Sequence, residues 1–415
     1  MSTTSDLKRV RVSNPQKVRI SGPLVPFVAG LVAEFESLGY ARSSAAIQMG
    51  VVAHLSRWLA TRGLSLNELS DEVIGQFLIV RRERYSSHYS LPALAPALGY
   101  LRRVGAVPAA SQVAPSGPVD EALSRFCGYL LRQRCLSAEV GKAYARYVKP
   151  FVAGLLGSAG QVDFNRVSAA QVTGFLAEYL PGRSNKQAQM TACALRSFLR
   201  FAYAEGLVGA DFSPAVPAVA SWRLSGVPKA LPAEQVQMLL GACDTATALG
   251  RRDYAVIACL SRLGMRAGEV GALLCADVDW LAGVLTVRGK GGRVDQLPIP
   301  VDVGQALVAY LRFGRPTTSA GTVFVCASAP FSSLGYSGVS CIVARAAARA
   351  GLGTVHAHRL RHSAATATLN AGASLEEVSL LLRHASPATT MIYAKTDLSR
   401  LTGIARPWPT SGDRS

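Results

Sequence analysis

Two stretches rich in proline, alanine, serine and glycine interrupt this chain, and they limit it to a series of separate folded blocks. The stretches cover residues 107–118 (VPAASQVAPSGP) and 212–232 (FSPAVPAVASWRLSGVPKALP). Such composition is typical of linkers, because proline lacks an amide hydrogen and glycine leaves the backbone loose. At 415 residues the chain is also too long for a single ordinary core. We predict five segments: a basic tail (1–21), a first helical block (22–106), a second helical block (119–211), a larger C-terminal block (230–405) and a short tail (406–415).

The two blocks before the second linker are predicted to be helical, since apolar residues recur in them at helical spacing. Phe27, Leu31 and Phe35 show this pattern in the first block. The segment 69–78 also repeats the pattern of 167–176, in which an apolar residue and a serine precede the same apolar spacing. We therefore interpret the first block as a candidate duplicate of the second.

A change of period marks the C-terminal block. Residues 284–287 alternate as a strand does, a glycine-rich run follows at 288–293 (RGKGGR), and a second strand pattern covers 296–299. This order is typical of a β-hairpin whose turn carries Lys290. Helical patterns surround it at 236–242, 254–263, 303–313, 337–350, 359–371 and 375–383. The predicted fold is therefore mostly α with a small β-sheet, in which helical N-terminal blocks precede an α+β block.

The charge of the chain indicates a polyanionic partner. Lysine and arginine number 44 against 26 acidic residues, which gives a formal net charge of +18. Nucleic acid is the first candidate, because basic side chains on phosphates release counterions and so add salt-sensitive affinity. An inert basic surface is the competing interpretation. The tail at 1–21 is either an arm that contacts DNA phosphates or a solvated segment, and the sequence leaves both open.

The cysteines and the hydropathy pattern predict a cytoplasmic protein. The eight cysteines show no C-x-x-C pairing and mostly lie in apolar runs, which is typical of buried thiols in a reducing compartment. Residues 1–20 are polar and basic, unlike an apolar signal sequence. No apolar stretch reaches the ~20 residues that a membrane-spanning helix needs.

Histidines cluster near the end of the C-terminal block. Of the six in the chain, one short stretch holds His356, His358, His362 and His384. Their spacing alone would allow a metal site. Arg359 and Arg361 lie among them, however, and no cysteine or carboxylate follows before Glu376. Since a cation would be repelled there, the cluster favours an anion, and no metal or cofactor is predicted.

His358 and Arg361 are three residues apart at the start of a predicted helix, so they share one face beside the amide N–H groups of its N-terminus. This arrangement suits a phosphodiester, although such pairs taken alone occur on many helix surfaces. Tyr393 is predicted on a second short helix that begins near Ala388, because Pro387 ends the preceding one. Packing in the core is the alternative role for this tyrosine.

Three longer motifs resemble the tyrosine recombinase (phage integrase) family. Residues 356–394 (HAHRLRHSAATATLNAGASLEEVSLLLRHASPATTMIYA) are similar to its C-terminal signature, 261–280 (SRLGMRAGEVGALLCADVDW) to its first arginine motif, and 287–300 (VRGKGGRVDQLPIP) to its lysine hairpin. The resemblance implies site-specific DNA recombination, with 230–405 as the catalytic domain and 119–211 as the helical core-binding domain. It implies catalytic residues at six matching positions: Arg266, Lys290, His358, Arg361, His384 and Tyr393.

The chemistry of this reaction suggests a role for each residue. Cleavage of a phosphodiester passes through a doubly charged phosphorane, so the site needs fixed cations, a proton acceptor and a proton donor. Arg266 and Arg361 can hold the non-bridging oxygens, and Glu269, one helical turn away, is expected to orient Arg266. His358 is expected to take the proton of Tyr393.

Two further residues complete the expected site. His384 would donate a hydrogen bond to the phosphate, and Lys290 would protonate the leaving 5′-oxygen. The resemblance implies a 3′-phosphotyrosine and a free 5′-hydroxyl, which a partner strand can rejoin without ATP or metal. The chain departs from the family pattern at Arg383, where many members have glycine, and at Arg359, where many have an acidic or small residue. Both departures add positive charge near the phosphate.

The resemblance also implies partners. These are double-stranded DNA and a homotetramer on paired DNA sites, with residues 397–405 as a candidate helix that docks on a neighbouring protomer. Accessory recombinases and DNA-bending proteins stay open as partners, and no membrane is expected. Because the block 22–106 exceeds the minimal two-domain plan, it favours an integrase or transposase of a mobile element over a chromosome-dimer-resolving recombinase.

Two alternatives to a recombinase remain open on the sequence. A type IB topoisomerase uses nearly the same catalytic groups to relax supercoils as a monomer. A helical DNA-binding protein that kept the fold and lost its activity is the other, although all six expected catalytic positions are filled in this chain.

Overall fold

The computed structural model describes residues 13–109, 117–219, 230–289, 292–383, 390 and 393. The chain divides into two compact units, one formed by residues 1–108 together with 224–415 and the other by 109–223. Helices dominate both, and one three-stranded sheet lies in the first unit. The predicted fold class is confirmed.

In the described residues 13–109, the N-terminal part of the first unit contains four α-helices around its own apolar core. They are α1 (Val28–Ser37), α2 (Arg42–Thr61), α3 (Asp71–Arg84) and α4 (Leu91–Arg103). The core residues Leu31, Phe35, Met49, Phe77 and Leu98 are almost fully buried. Leu31 and Phe35 are four residues apart on α1, so this helix turns one apolar face inward.

The second unit also contains four α-helices, within its described residues 117–219. They are α5 (Pro118–Arg132), α6 (Ala138–Gly154), α7 (Ala169–Tyr179) and α8 (Asn185–Ala204). Phe126, Phe198 and Phe201 meet in its core with ring centroids 5.3 to 5.8 Å apart. Aromatic side chains bury a large area each, so this cluster adds to the apolar stabilisation of the unit.

The two similar sequence segments occupy equivalent places in these helical parts. Ser70 caps the third helix of the first part, since its Oγ accepts a hydrogen bond from the amide of Val73 at 3.3 Å. Ser168 caps the third helix of the second unit in the same way, with the amide of Gln171 at 3.2 Å. A short 3-10 turn precedes the serine in both cases. The shared motif is thus a helix start, and the duplication of the block stays a prediction.

The C-terminal part of the first unit combines the sheet with seven helices among the described residues. The strands are β1 (Val278–Asp279), β2 (Val284–Arg288) and β3 (Val294–Pro298), and the helices are α9 (Ala233–Gly241), α10 (Ala248–Arg262), α11 (Ala267–Ala272), α12 (Val301–Phe313), α13 (Gly335–Arg349), α14 (Ala357–Asn370) and α15 (Leu375–Leu382). The strands are antiparallel in the order β1-β2-β3, with Leu285 opposite Leu297. The predicted hairpin is therefore present, and the two-residue β1 was not predicted.

Helix α10 is the centre of this part. No residue from 255 to 260 is more than 3% exposed, and the helix packs on α12, α13 and α14. The unbroken apolar run AVIACL explains why it is buried on every side. The helix begins at Ala248 and not at the predicted residue 254, because Thr247 caps it and its Oγ1 accepts from the amide of Gly250 at 3.0 Å.

The expectation that the cysteines are buried is wrong for half of them. Cys243 and Cys259 are buried, whereas Cys135, Cys193, Cys275 and Cys341 are exposed. Apolar neighbours in sequence did not predict burial, because Cys193 and Cys341 lie on the outer faces of α8 and α13, and Cys135 lies in the loop between α5 and α6. In the described part of the chain, no helix has both the length and the apolar character to cross a bilayer. The cytoplasmic location stays a prediction.

Helix α11, which follows Arg266, packs closely on the start of α13. A Cβ atom on Gly271 would lie 2.8 Å from the carbonyl carbon of Gly335, closer than such atoms approach in proteins. Gly268, on the same short helix, has no atom within 4 Å of its would-be Cβ. The glycine at 271 is therefore needed for packing, and the one at 268 is not.

We expect Gly271→Ala to destabilise this part of the unit by about 1–3 kcal/mol, because the backbone of α13 must move away from the added methyl group. Gly268→Ala is the matched control and should be neutral or slightly stabilising. Hydrogen–deuterium exchange of peptides from α11 and α13 measures the local free energy of opening. Equal protection in both variants would contradict the close packing described above.

Candidate active site

A cavity of about 510 Å³ lies in the C-terminal part of the first unit. Its walls come from the start of α11, the end of β2 and the starts of α13 and α14. Arg266 and the pair His358 and Arg361, which come from motifs more than 90 residues apart in sequence, all line it. The folded chain thus brings three of the six predicted site residues to one cavity.

Arg361 is the most buried of these charges. Its side chain is 2% exposed, and its two terminal nitrogens donate hydrogen bonds to the backbone carbonyls of Gly264 and Leu382. Leu382 is the last residue of α15, where carbonyls lack helical partners, so a guanidinium satisfies an otherwise orphaned acceptor. Burial, followed by the charges of Arg266 and Arg383, lowers the pKa of Arg361 to about 10. The residue therefore stays charged at neutral pH.

Gly264 is needed at this position for two reasons. Its φ of +58° lies in the left-handed region that favours glycine. A Cβ atom there would also lie 2.9 Å from Cδ2 of Leu382. The loop that leads to Arg266 therefore lies directly against the end of α15, with Arg361 bonded to both.

Arg266 faces the cavity and is held by Glu269. The Arg266 side chain is 42% exposed, and its Nη1 donates to Oε1 of Glu269 at 2.6 Å. The backbone amide of Arg266 donates to Oε2 of the same carboxylate at 2.8 Å. Burial by itself would raise the pKa of Glu269, but the backbone amide of Arg266 and the charge of Arg383 lower it overall. The carboxylate is thus ionised and fixes the direction of Arg266, as the sequence predicted.

His358 and His362 lie one turn apart on α14, with ring centroids 4.5 Å apart. Desolvation lowers the pKa of His358, and the charges of Arg361 and Arg266 lower it further. Desolvation, His358 and Arg361 lower the pKa of His362 to about 4. Both rings are therefore neutral at pH 7 and can accept protons. Among the described residues, no group of three or more His, Cys, Asp or Glu side chains could hold a metal ion.

Tyr393 is buried next to the cavity. It is 2% exposed and packs with Ala365, Val378 and Leu382. Its hydroxyl lies 2.7 Å from Nδ1 of His362. Burial raises the pKa of Tyr393 to about 12, against the opposing charge of Arg361. The described lining of the cavity does not include this tyrosine.

The contact between Tyr393 and His362 was missed by the sequence analysis, which expected His358 to accept the tyrosine proton. His362 was considered there only as one member of the histidine cluster. One signal in the sequence could have identified His362. It is four residues from His358, so both side chains lie on the same face of their helix. The role given to His358 stays a prediction.

Two predicted site residues, Lys290 and His384, lie outside the described residues, as do Ala388 and the segment 397–405. Gly289, which precedes Lys290 in the chain, lines the cavity at the end of β2. Arg383, which precedes His384, is described and is discussed below.

Comparison with protein-family models gives two matches. The model of the phage integrase family matches residues 229–400, and the model of the phage integrase N-terminal SAM-like domain matches residues 123–206. The matches cover the part of the chain that carries the cavity and the helical unit before it.

Two curated relatives differ in how much of the chain they cover. A Sinorhizobium fredii protein described as an integrase/recombinase, y4rA, is 36% identical over 405 residues, which are 96% of this chain and 97% of that protein. The tyrosine recombinase XerD of Listeria monocytogenes is 30% identical over 291 residues, which are 69% of this chain and 97% of that protein.

Solved structures share the fold. The XerH site-specific recombinase in its post-cleavage complex with a difH substrate has a TM-score of 0.55 and 21% identity, and covers 83% of this chain and 99% of that one. A lambda integrase dimer bound to a COC′ core site has a TM-score of 0.52 and 18% identity, and covers 71% of this chain and 99% of that one. The near full-length relative and the two family-model matches show that the chain belongs to the phage integrase family of tyrosine recombinases, enzymes that cleave and rejoin DNA strands.

Proposed function

We propose that this chain carries out site-specific DNA recombination by attack of the Tyr393 hydroxyl on a phosphate held in the cavity by Arg266 and Arg361. The observation that carries the proposal is that these two arginines, from distant motifs, line one cavity together with His358. Positive charge fixed in a partly desolvated site stabilises the charge that develops on a phosphorane, and no reorganisation is needed at the moment of reaction. Arg361 is held rigidly by two carbonyls, so its remaining donors keep their direction.

The proposed cleavage forms a bond between the Tyr393 oxygen and phosphorus and breaks the bond from phosphorus to the 5′-oxygen. The phenol loses its proton to a neutral histidine, and the neutral state of His358 at pH 7 suits it to this role. The 5′-oxygen gains a proton from Lys290, and His384 donates a hydrogen bond to the phosphate. The 3′-phosphotyrosine conserves the bond energy, and a 5′-hydroxyl of the partner strand reverses the step.

The phenol has to leave its present contact for this reaction. Its oxygen is bonded to His362 in a buried cluster, while the phosphate site is the neighbouring cavity. Arg361 connects the two places, since its charge acts on Tyr393 and its side chain lines the cavity. We therefore propose that DNA binding moves the tyrosine from His362 towards the phosphate bound at Arg361.

We also propose that the chain acts as a homotetramer on paired DNA sites, as a recombinase of a mobile element in the cytoplasm. A solved lambda integrase structure is described as a tetramer bound to a Holliday junction. The y4rA relative, described as an integrase/recombinase, matches nearly the whole chain, whereas the XerD relative matches 69% of it. The N-terminal part is thus shared with the integrase/recombinase, which favours that role over resolution of chromosome dimers.

We also propose that the N-terminal part of the first unit binds DNA. Arg57 and Arg84 are exposed on α2 and α3. After burial, Arg81, Arg57 and Arg84 together lower the pKa of His54, so their positive charges converge on one side of the bundle. A duplex phosphate is attracted to such a concentration of charge.

Tyr393→Phe should abolish covalent capture of DNA, because it removes the attacking oxygen. The measurement uses a duplex nicked near the scissile phosphate, which traps the protein on the strand after one cleavage. Tyr310→Phe is the matched control, because Tyr310 is an equally buried tyrosine of the same unit. It is not among the described residues that line the cavity. Absence of any adduct with the unmodified protein on its own target DNA would contradict the proposal. Relaxation of supercoils without a partner site would favour a topoisomerase.

The stability of the catalytic part should fall as the pH decreases from about 6.5 to about 4, with a contribution from His362. The folded pKa of this group is about 4, below its ordinary value of 6.5, so in this window the unfolded chain binds a proton that the folded chain does not. His362→Gln keeps an acceptor for the phenol and removes the titration. Urea midpoints at pH 7 and pH 4.5 should therefore differ less in this variant than in the unmodified protein. An unchanged difference would contradict the low pKa.

Removing two exposed arginines, by Arg57→Ala with Arg84→Ala, should weaken DNA binding and lower the slope of log affinity against log salt by about 2. Arg102→Ala with Arg103→Ala is the matched control, because these guanidiniums are already paired with Asp71 at 2.7 Å and with Glu34 at 2.5 Å. Binding is measured by fluorescence anisotropy on a duplex at several salt concentrations. Equal slopes for the two double variants would count against a DNA contact at Arg57 and Arg84.

A further inference from the structure

Arg383 adopts a conformation that is unfavourable for arginine. It follows α15 with a φ of +53°, in the left-handed region where glycine is preferred. Its side chain is also only 3% exposed, which is costly for a charge. Something in the fold must offset both costs, and the contacts of its guanidinium identify it.

The compensating partner is Glu269. Nη2 of Arg383 donates to Oε2 of Glu269 at 2.7 Å, and Nη1 donates to the carbonyl of Leu381 at 3.0 Å. The same carboxylate accepts from Nη1 of Arg266 at 2.6 Å. One buried carboxylate thus lies between two guanidiniums, one of which faces the cavity while the other is enclosed.

The shared carboxylate has an electrostatic consequence. An isolated ion pair of Glu269 and Arg266 would carry no net charge. Such an ion pair would attract a phosphate in the cavity only weakly. Arg383 restores a net positive charge to the group, and at such low exposure this charge is poorly screened. Its influence already extends to Arg361, whose pKa it helps to lower.

We propose that Arg383 is a positioning residue for strand cleavage. Through Glu269 it leaves Arg266 able to bind the scissile phosphate, and it anchors the chain immediately before His384 to the first arginine motif. It does not touch the phosphate itself. This inference rests on the proposed function, in which Arg266 binds the phosphate that Tyr393 attacks.

Three substitutions separate charge from backbone conformation. Arg383→Asn tolerates the left-handed conformation and removes the charge, Arg383→Gly relieves the backbone and removes the charge, and Arg383→Lys keeps the charge. Arg349→Asn is the matched control. This arginine lies at the end of α13 and donates to the carbonyl of Ala242 at 2.9 Å. It is not among the described residues that line the cavity.

The test measures single-turnover cleavage on two nicked duplexes, one with an ordinary scissile phosphate and one with an uncharged methylphosphonate there. On the phosphate, Arg383→Asn and Arg383→Gly should be slowed about tenfold or more, and Arg383→Lys should recover most of the rate. On the methylphosphonate, the same variants should lose much less, because there is less negative charge to hold. Arg349→Asn should match the unmodified protein on both.

The double variant Glu269→Gln with Arg383→Asn supplies a second measurement. If Arg383 acts through Glu269, removing it should slow cleavage less in the Glu269→Gln background than in the unmodified protein. Additive losses would overturn the proposal. So would wild-type rates in Arg383→Asn, or equal losses on the phosphate and the methylphosphonate, which would indicate a purely structural role. If the unmodified protein forms no covalent adduct at all, the proposed function fails, and that outcome is distinct from the others.

Discussion

The hydrogen bonds of Arg361 hold together segments of the site that are distant in sequence. This buried guanidinium joins the loop before Arg266 to the end of α15, by donating to the carbonyls of Gly264 and Leu382. A charge at 2% exposure is stable only because these carbonyls replace water. The same two bonds hold the loop of the first arginine motif and the end of α15 against the helix that carries Arg361. Loss of this residue would therefore leave carbonyls unsatisfied as well as remove a cation.

The charges around Arg361 explain the protonation states of the site. Glu269 is paired with Arg266 and Arg383, and Arg361 adds a third guanidinium nearby, so positive charge exceeds negative charge around the site. Burial lowers the pKa values of His358 and His362, and the charge of Arg361 lowers both further, so both rings are neutral at pH 7. The site thus holds fixed cations beside neutral proton acceptors. This excess of positive charge supports the proposal that the site binds a phosphate.

Much of the fold could be predicted from local patterns. Strand β2 was predicted at 284–287 and is found at Val284–Arg288, and α12 was predicted at 303–313 and is found at Val301–Phe313. Periodicity of apolar residues depends on neighbours within a few positions, so it survives without tertiary information. The start of α10 was missed because a threonine cap, and not an apolar residue, begins the helix. Strand β1 was missed because two residues pair only once β2 is in place.

The sequence by itself determined the helical blocks, the lysine hairpin, the excess of positive charge and the motifs that assign the family. It also pointed to Arg266, His358 and Arg361 as one site, since the spacing of the motifs carries that information. The tertiary structure alone decided that Tyr393 contacts His362 and that Arg383 pairs with Glu269, a residue 114 positions away. The reason is physical: a hydrogen bond between distant segments depends on how whole helices pack, and no local pattern of residues encodes that distance.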